Sequence, residues 1–297
     1  MPYKERDSLH RHLREFKQSL PSCNDDTWRH YRTWVEEAFS IIGNGKDPCN
    51  VTSAEMAQIM LGMVGNQNSK AVKVRIVRQF LRFCGNKAAN KWRIGLTLRP
   101  KVGGIFLTEI QTARRQEAAR KIGPTEALMN ALAFDMGLRC VDMCRLTMQN
   151  ANEFLGSDGS NILGKGRFGG KLAFQKLNRM VREPLVRYLA HREALLKGKQ
   201  FPNLFIIDGR NGPRVAKTKD VGTAFDKVSE ASGIFANPHD GRRTFGHRLH
   251  LAGVPIETIA TLMRQENINT AFRSYIGITQ DEQSEAMETL ALRSMCQ

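Results

Sequence analysis

From residue 8 to residue 84, apolar positions recur at helical spacing. "DDTWRHYRTWVEEAFSII" puts Trp28, Tyr31, Val35 and Phe39 on one face, with Asp25 or Asp26 as the expected cap. "SAEMAQIMLGMV" follows, capped by Ser53. "KAVKVRIVRQFLRFCG" sets a basic face against Val74, Val77, Phe80 and Leu81 until Gly85 ends it. The periodicity fades over residues 86–104, "NKAANKWRIGLTLRPKVGG", which predicts an interdomain linker. A second helical unit opens at "LTEIQTARRQEAARK" and continues through "TEALMNALAFDMGLRCVDMCRL", with Leu128, Leu132, Met136, Val141 and Leu146 as its buried positions. In "EFLGSDGSNILGKGRFGGKLAFQKL", short apolar runs split by Gly-Ser and Gly-Gly predict a small antiparallel sheet. From "REPLVRYLAHREALL" onward the pattern is mostly helical. Near its end Phe245, Leu249, Ile256, Ile259 and Leu262 predict a pair of short helices broken at residues 253–255.

The chain is therefore expected to be mainly α with a small antiparallel β-sheet (α+β), in two domains at 1–95 and 105–297. Its 297 residues suffice for two cores, and 41% hydrophobic with 25% charged residues describes a soluble globular protein. No apolar run approaches the roughly 20 residues of a membrane span, and the N-terminus lacks a secretory h-region, so no membrane partner and a cytoplasmic location are expected. The cysteines at 23, 49, 84, 140, 144 and 296 form no CxxC pair. Cys140 and Cys144, one helical turn apart, read as core thiols, so neither a metal site nor a cofactor is expected.

Charge changes the picture most. A formal net charge of +16 attracts polyanions, nucleic acid first among them. Between Glu55 and Glu109 there is no acidic residue, whereas Lys70, Lys73, Arg75, Arg78, Arg82, Lys87, Lys91, Arg93, Arg99 and Lys101 all fall there. Solvated helix faces usually mix signs, so a one-sign stretch of this length points to a phosphate backbone. The second unit has its own concentration at "PHDGRRTFGHRL", with His239, Arg242, Arg243, His247 and Arg248. His239 and Arg242 stand at i and i+3, on one face of a helix start. Arg139 follows a Gly-Leu with Asp142 one turn on, Lys165 sits on a Gly-flanked hairpin turn, and Tyr275 comes late in the chain. Each alone is a weak signal.

In this order and spacing, the segment from about Leu107 to Ile278 resembles the catalytic domain of the tyrosine recombinases, the phage and plasmid integrase family. "ALAFDMGLRCVDMCRLTMQNA" is similar to the family's first arginine box, with Arg139 as the arginine and Asp142 as its acidic support. "ILGKGR" resembles the hairpin carrying the family's lysine, here Lys165. "HDGRRTFGHRLHLAGVPIETIATLM" resembles the HxxR box, giving His239 and Arg242, and "NINTAFRSYIGI" the nucleophile segment, giving Tyr275. The sequence departs where the family has a "GH" or "GW" pair, since Arg264 and Gln265 stand there; a glutamine can still donate to a phosphate oxygen. The resemblance is loose over the first hundred residues, where only length and helical pattern match a core-DNA-binding domain.

The resemblance implies a two-lobed clamp on double-stranded DNA, homotetrameric at synapsis and monomeric or weakly associated when free. It implies strand cleavage through a 3′-phosphotyrosyl intermediate without metal or ATP. Arginine forks match the non-bridging phosphate oxygens, a lysine can protonate the leaving 5′-oxygen, and a histidine suits proton exchange with the tyrosine. After Tyr275, Thr279 and Glu282 form a capping box, and Ala286, Met287, Leu290 and Ala291 an apolar stripe. That helix either packs on its own domain or, as the resemblance implies, docks on a neighbouring protomer. A DNA-binding protein with weak or no catalysis, a type IB-like topoisomerase, and a metal nuclease built on His239, His247 and His250 are the competing readings.

Overall fold

The computed structural model describes residues 3–96, 106–164, 166 and 170–265. The described residues fall into two compact units, one before and one after the stretch 97–105.

The first unit holds α1 (Tyr3–Gln18), α2 (Asp25–Ile42), α3 (Ser53–Gly62), α4 (Gln67–Phe83) and the short α5 (Lys87–Lys91). Its core joins Leu13 and Phe16, Val35 and Phe39, Met56 and Ile59, and the expected Val74, Val77, Phe80 and Leu81. Phe16 meets the Phe80 ring edge-on at 5.4 Å, an arrangement suited to the opposite charge of ring face and ring edge. Two caps lie one position earlier than expected. Asn24, not Asp25 or Asp26, accepts from Thr27 N at 2.8 Å, and Thr52, not Ser53, forms a capping box with Glu55. A cap needs extended backbone and an oxygen three residues ahead of a free N–H. Asp25 and Asp26 are already helical and favour the positive end of the dipole instead.

Residues 86–96, expected to fall in a linker over 86–104, belong to the first unit. Asn86 is buried, caps α5 by accepting from Ala89 N at 3.0 Å, and donates through Nδ2 to Pro48 O and Val51 O. Ala89 is buried with it, and Trp92, Ile94 and Leu96 pack on the same core. Asparagine, alanine and lysine carry no apolar periodicity, so a helix held by side-chain hydrogen bonds to its backbone left no trace in the pattern.

The second unit opens with α6 (Glu109–Ile122) and α7 (Pro124–Phe134). Every residue of α7 from Ala127 to Phe134 is buried, because α6, α10, α11 and α12 pack around it. A helix apolar on all sides belongs at the centre of its domain. Then follow α8 (Cys140–Arg145), α9 (Met148–Ser157), the antiparallel hairpin β1 (Gly159–Gly164) and β2 (Lys171–Lys176), and α10 (Arg179–Leu196). A second hairpin, β3 (Ile206–Gly209) and β4 (Gly212–Val215), precedes α11 (Thr218–Ser232), α12 (Pro238–Leu251) and α13 (Ile256–Leu262).

Four of the five expected core positions are buried; Val141 is half-buried, and Leu138 and Met143 fill the core beside it. The β3–β4 hairpin interrupts a region expected to be mostly helical, and no expectation placed strands there. Gly209 pairs with Gly212 across a two-residue turn, and Gly212 takes φ +97°, so the strands are short and punctuated by glycine. The break between α12 and α13 stands where the sequence put it. Ile259 is buried, Phe245, Leu249 and Ile256 pack beside it, but Leu262 instead lines a cleft.

Candidate active site

α12 begins in a position that several interactions determine together. Asn237 accepts from His239 N at 2.9 Å and Asp240 N at 3.1 Å, while Asp240 accepts in return from Asn237 N, and Pro238 occupies the first turn. Gly241 lets the helix lie hard against α7: a Cβ there would meet Ala133 Cβ at 2.9 Å and the Phe134 ring at 3.0 Å. The segment leading into α12 is held by Arg115 of α6, which is fully buried. Its guanidinium donates to Ile234 O, Ala236 O and Phe225 O, to Ser229 Oγ and to Asn130 Oδ1, at 2.6 to 3.1 Å. Burial pulls its pKa down to about 10, against which Asp240 and Asp226 push upward, so it remains a cation at neutral pH.

From that start, His239 is exposed at the second residue of α12 and Arg242 is buried one turn on. Arg242 donates through Nη1 to Gly137 O and through Nη2 to Met263 O. It thereby ties the turn before α8 to the end of α13. Gly137 has φ +62°, and a Cβ would strike the Phe245 ring at 2.6 Å, so this turn requires glycine. Two residues later Arg139 caps α8. Its N–H donates to Asp142 Oδ2 at 3.1 Å, while its Nη1 stays 3.8 Å from that oxygen, beyond hydrogen-bond reach. Asp142 is buried and receives Arg264 Nη2 at 2.6 Å. Gly164, the last residue of β1, backs onto this group: a Cβ there would lie 3.5 Å from Asp142 Oδ1. Arg145 holds it by donating to Gly164 O at 2.8 Å.

These parts border a cleft of about 540 Å³ whose lining includes Arg139, Arg264, Gln265, Gly164, Lys171 and Lys176. It is a cationic concavity with the half-buried Arg139 fork in its wall, the buried Arg264–Asp142 pair behind that fork and Gly164 at its edge. A phosphodiester suits it by charge and by shape.

Of the sequence-derived residues, the structure brings Arg139, Asp142, Arg242 and Gln265 together, with His239 on the first turn of the helix that carries Arg242. Lys165 and Tyr275 lie outside the described residues, as do the segment after Tyr275 where a helix was expected and the cations Arg99 and Lys101.

Several other cations have internal duties. Lys73 pairs with Glu37 at 2.7 Å and donates to Val64 O; Lys70 donates to Leu61 O. Arg78 donates to Trp92 O, and Arg82 to Ala89 O and Asn90 O, so both hold α5. Arg75, Lys87, Lys91 and Arg93 are exposed. In α12, Arg243 pairs with Asp240 at 3.1 Å, Arg248 reaches Glu109 and Asp135, and His247 stacks on Phe106 at 4.3 Å. Among the described residues no group of three or more His, Cys, Asp or Glu is placed to hold a metal.

Lys171 and Lys176 escaped the sequence reading, and Arg264 entered it only as half of the Arg-Gln pair, with no role of its own. Lys171 and Lys176 sit at the two ends of β2, five residues apart, so strand alternation puts them on opposite faces and gives no common signal. Arg264 follows an apolar helix and gives none either.

The phage integrase family profile matches residues 106–282, more than half of the chain. The chain is 23% identical over 219 residues to tyrosine recombinase XerA of Pyrococcus furiosus, covering 72% of this chain and 71% of that protein. In fold it is similar to the Tn1549 transposon integrase in complex with circular intermediate DNA (TM-score 0.66, 18% identity, 94% of this chain and 99% of that one). It is also similar to a lambda integrase tetramer bound to a Holliday junction (TM-score 0.63, 17% identity, 92% and 79%). With the arginines, the supporting carboxylate and the family profile covering one and the same unit, the chain belongs to the phage integrase family, the tyrosine-type site-specific DNA recombinases.

Proposed function

We propose that this recombinase cuts and rejoins duplex DNA through a 3′-phosphotyrosyl intermediate on Tyr275, with neither metal nor nucleotide. The Tyr275 oxygen attacks phosphorus and gives up its proton, with His239 as the exchange partner. The bond from phosphorus to the 5′-oxygen breaks, and Lys165 supplies the proton that the departing oxygen needs. Arg139 and Arg242 gather the non-bridging oxygens as negative charge grows in the transition state. Because the phosphotyrosine keeps the bond energy, a 5′-hydroxyl from another strand can reverse the step and complete an exchange. Arg243, Gln265 and the exposed cations of the first unit contact the backbone around the cut. Four copies on two DNA sites would then exchange strands in pairs, joined through the segment after Tyr275.

The observation that carries this reading is the convergence of Arg139 and Arg242 on one turn, residues 137–142, with a buried aspartate behind it. A DNA-binding protein without catalysis would gain little from burying an arginine against two carbonyls beside a concave cationic cleft. The test is a nicked suicide duplex run on a denaturing gel without magnesium or nucleotide. The expected outcome is a covalent adduct with the wild-type chain and none with Tyr275→Phe, which still binds the duplex. An adduct that persists in the Phe variant refutes the nucleophile, and no adduct with either chain refutes the enzyme reading.

A further inference from the structure

Arg264 is held in an unusual way. It follows α13 with φ +51°, in the left-handed region that a residue with a long side chain rarely adopts. Its side chain is only 6% exposed, yet Nε and Nη1 are buried with no hydrogen-bond acceptor among the described residues. Only Nη2 is engaged, at 2.6 Å from Asp142 Oδ2. A strained backbone and two idle buried donors do not describe a residue kept for stability. Burial pulls the guanidinium down to about 10, Asp142 opposes this, and Arg242 and Arg139 add to it, so the charge persists at neutral pH.

The charge arithmetic around Asp142 shows what Arg264 does. One buried carboxylate faces Arg139, three residues before it on the same turn, and Arg264 from across the cleft. Arg264 makes the hydrogen bond; Arg139 Nη1 stops at 3.8 Å. Were Arg264 absent, Asp142 would be a buried anion with one cation in reach, and the Arg139 fork would close on it. Opposite charges at i and i+3 meet readily, and burial strengthens the pull. The fork would then be withdrawn from the cleft it lines.

We propose that Arg264 is a positioning residue: by taking up Asp142 it leaves the Arg139 fork open to the scissile phosphate. This rests on the recombinase function proposed above. Arg264 acts through Asp142 and Arg139, without itself touching the phosphate. The same arrangement answers how the chain works with Arg-Gln at this position, since a carboxylate that would otherwise compete for Arg139 is neutralised from the other side.

Second-site rescue tests this. Single-turnover cleavage of the nicked duplex is compared for wild type, Arg264→Gly, Asp142→Asn and the double variant, with duplex affinity and melting temperature measured for each. Glycine accepts φ +51° without strain, so Arg264→Gly should fold; Arg264→Asn, the next most tolerant residue there, serves as its companion. Arg264→Gly should slow cleavage by about tenfold or more, a shift in coupled-residue range, with little change in duplex affinity. In the double variant the asparagine no longer competes for Arg139, so cleavage should return to that of Asp142→Asn alone. A role in folding only would not be rescued by removing the carboxylate. Wild-type cleavage in both Arg264 variants, or a double variant slower than each single, overturns the proposal. Absence of any adduct with the wild-type chain would fell the recombinase reading instead, so the two failures are distinguishable.

Discussion

Replacing Arg115 with methionine keeps most of the side-chain volume and removes the guanidinium. Five hydrogen bonds are lost, together with contacts to the faces of Phe134 and Phe225 at 5.8 and 5.1 Å. The acceptors are not equally stranded. The one proton of the Ser229 hydroxyl can still serve Phe225 O at 2.9 Å or Ala236 O at 3.4 Å, whereas Ile234 O and Asn130 Oδ1 lose the donors described for them. Two stranded buried acceptors at about 1–3 kcal/mol each, less the relief of no longer burying a cation, give a loss of about 2–5 kcal/mol. That is a large fraction of the stability of an ordinary domain. The molecule supplies its own control, because Trp28, Trp34 and Trp92 all lie in the first unit. In urea, tryptophan fluorescence should report an unmoved transition for the first unit while far-ultraviolet circular dichroism shows the second unfolding at lower denaturant. A second-unit transition within about 0.5 kcal/mol of wild type would refute the reasoning, being the range of an ordinary surface substitution.

Gly137→Ala should cost the second unit about 2–4 kcal/mol, combining a left-handed alanine with a Cβ driven into Phe245 and Met263; urea unfolding followed by circular dichroism measures it. The Glu55 carboxyl is held down to about 2 by hydrogen bonds from Lys46 and the Thr52 backbone, so its stabilisation is complete above about 4.5 and is lost as pH falls toward 2. The stability difference between wild type and Glu55→Gln should therefore shrink over that window, and thermal melts at pH 6, 4 and 2.5 would show it. Duplex affinity should fall steeply with salt, and alanine at Arg75, Lys87, Lys91 or Arg93 should each lower the log–log slope by about one if that side chain meets a phosphate. The same change at Arg78 or Arg82 should lower the stability of the first unit, since those cations hold α5.

The sequence disclosed what depends on local pattern. Helical spacing located α2 to α4, glycine punctuation located the β1–β2 hairpin, and the Gly-Val-Pro break separated α12 from α13. The i, i+3 spacing in "HDGRR" placed His239 and Arg242 one turn apart on a helix start, as α12 has them. What stayed hidden depends on partners far along the chain. Arg115 meets Phe225, Ser229, Ile234 and Ala236, each more than a hundred residues away, and Arg248 pairs with Glu109 and Asp135. In a sequence these arginines look the same as Arg139. Net charge counts cations without telling those that face a polyanion from those that serve as internal braces. Arg264 was visible only as a departure from the family's pair, for the same reason: the carboxylate it meets lies 122 positions earlier.

The all-round burial of α7 sets a rule for how lengths can vary among relatives. Adding one residue to an α-helix turns everything beyond it by about 100°. A surface helix can absorb such a turn by trading one solvated face for another. α7 has no solvated face between Ala127 and Phe134, so an insertion there would rotate Asn130 away from Arg115 and drive the flanking apolar residues out of register with four neighbouring helices. Insertions and deletions are therefore confined to places such as the 210–211 turn or the end of α10, where Lys197 and Gly198 already take left-handed backbone. Homologues aligned through α7 should show a gapless block, with length variation collected at those two turns.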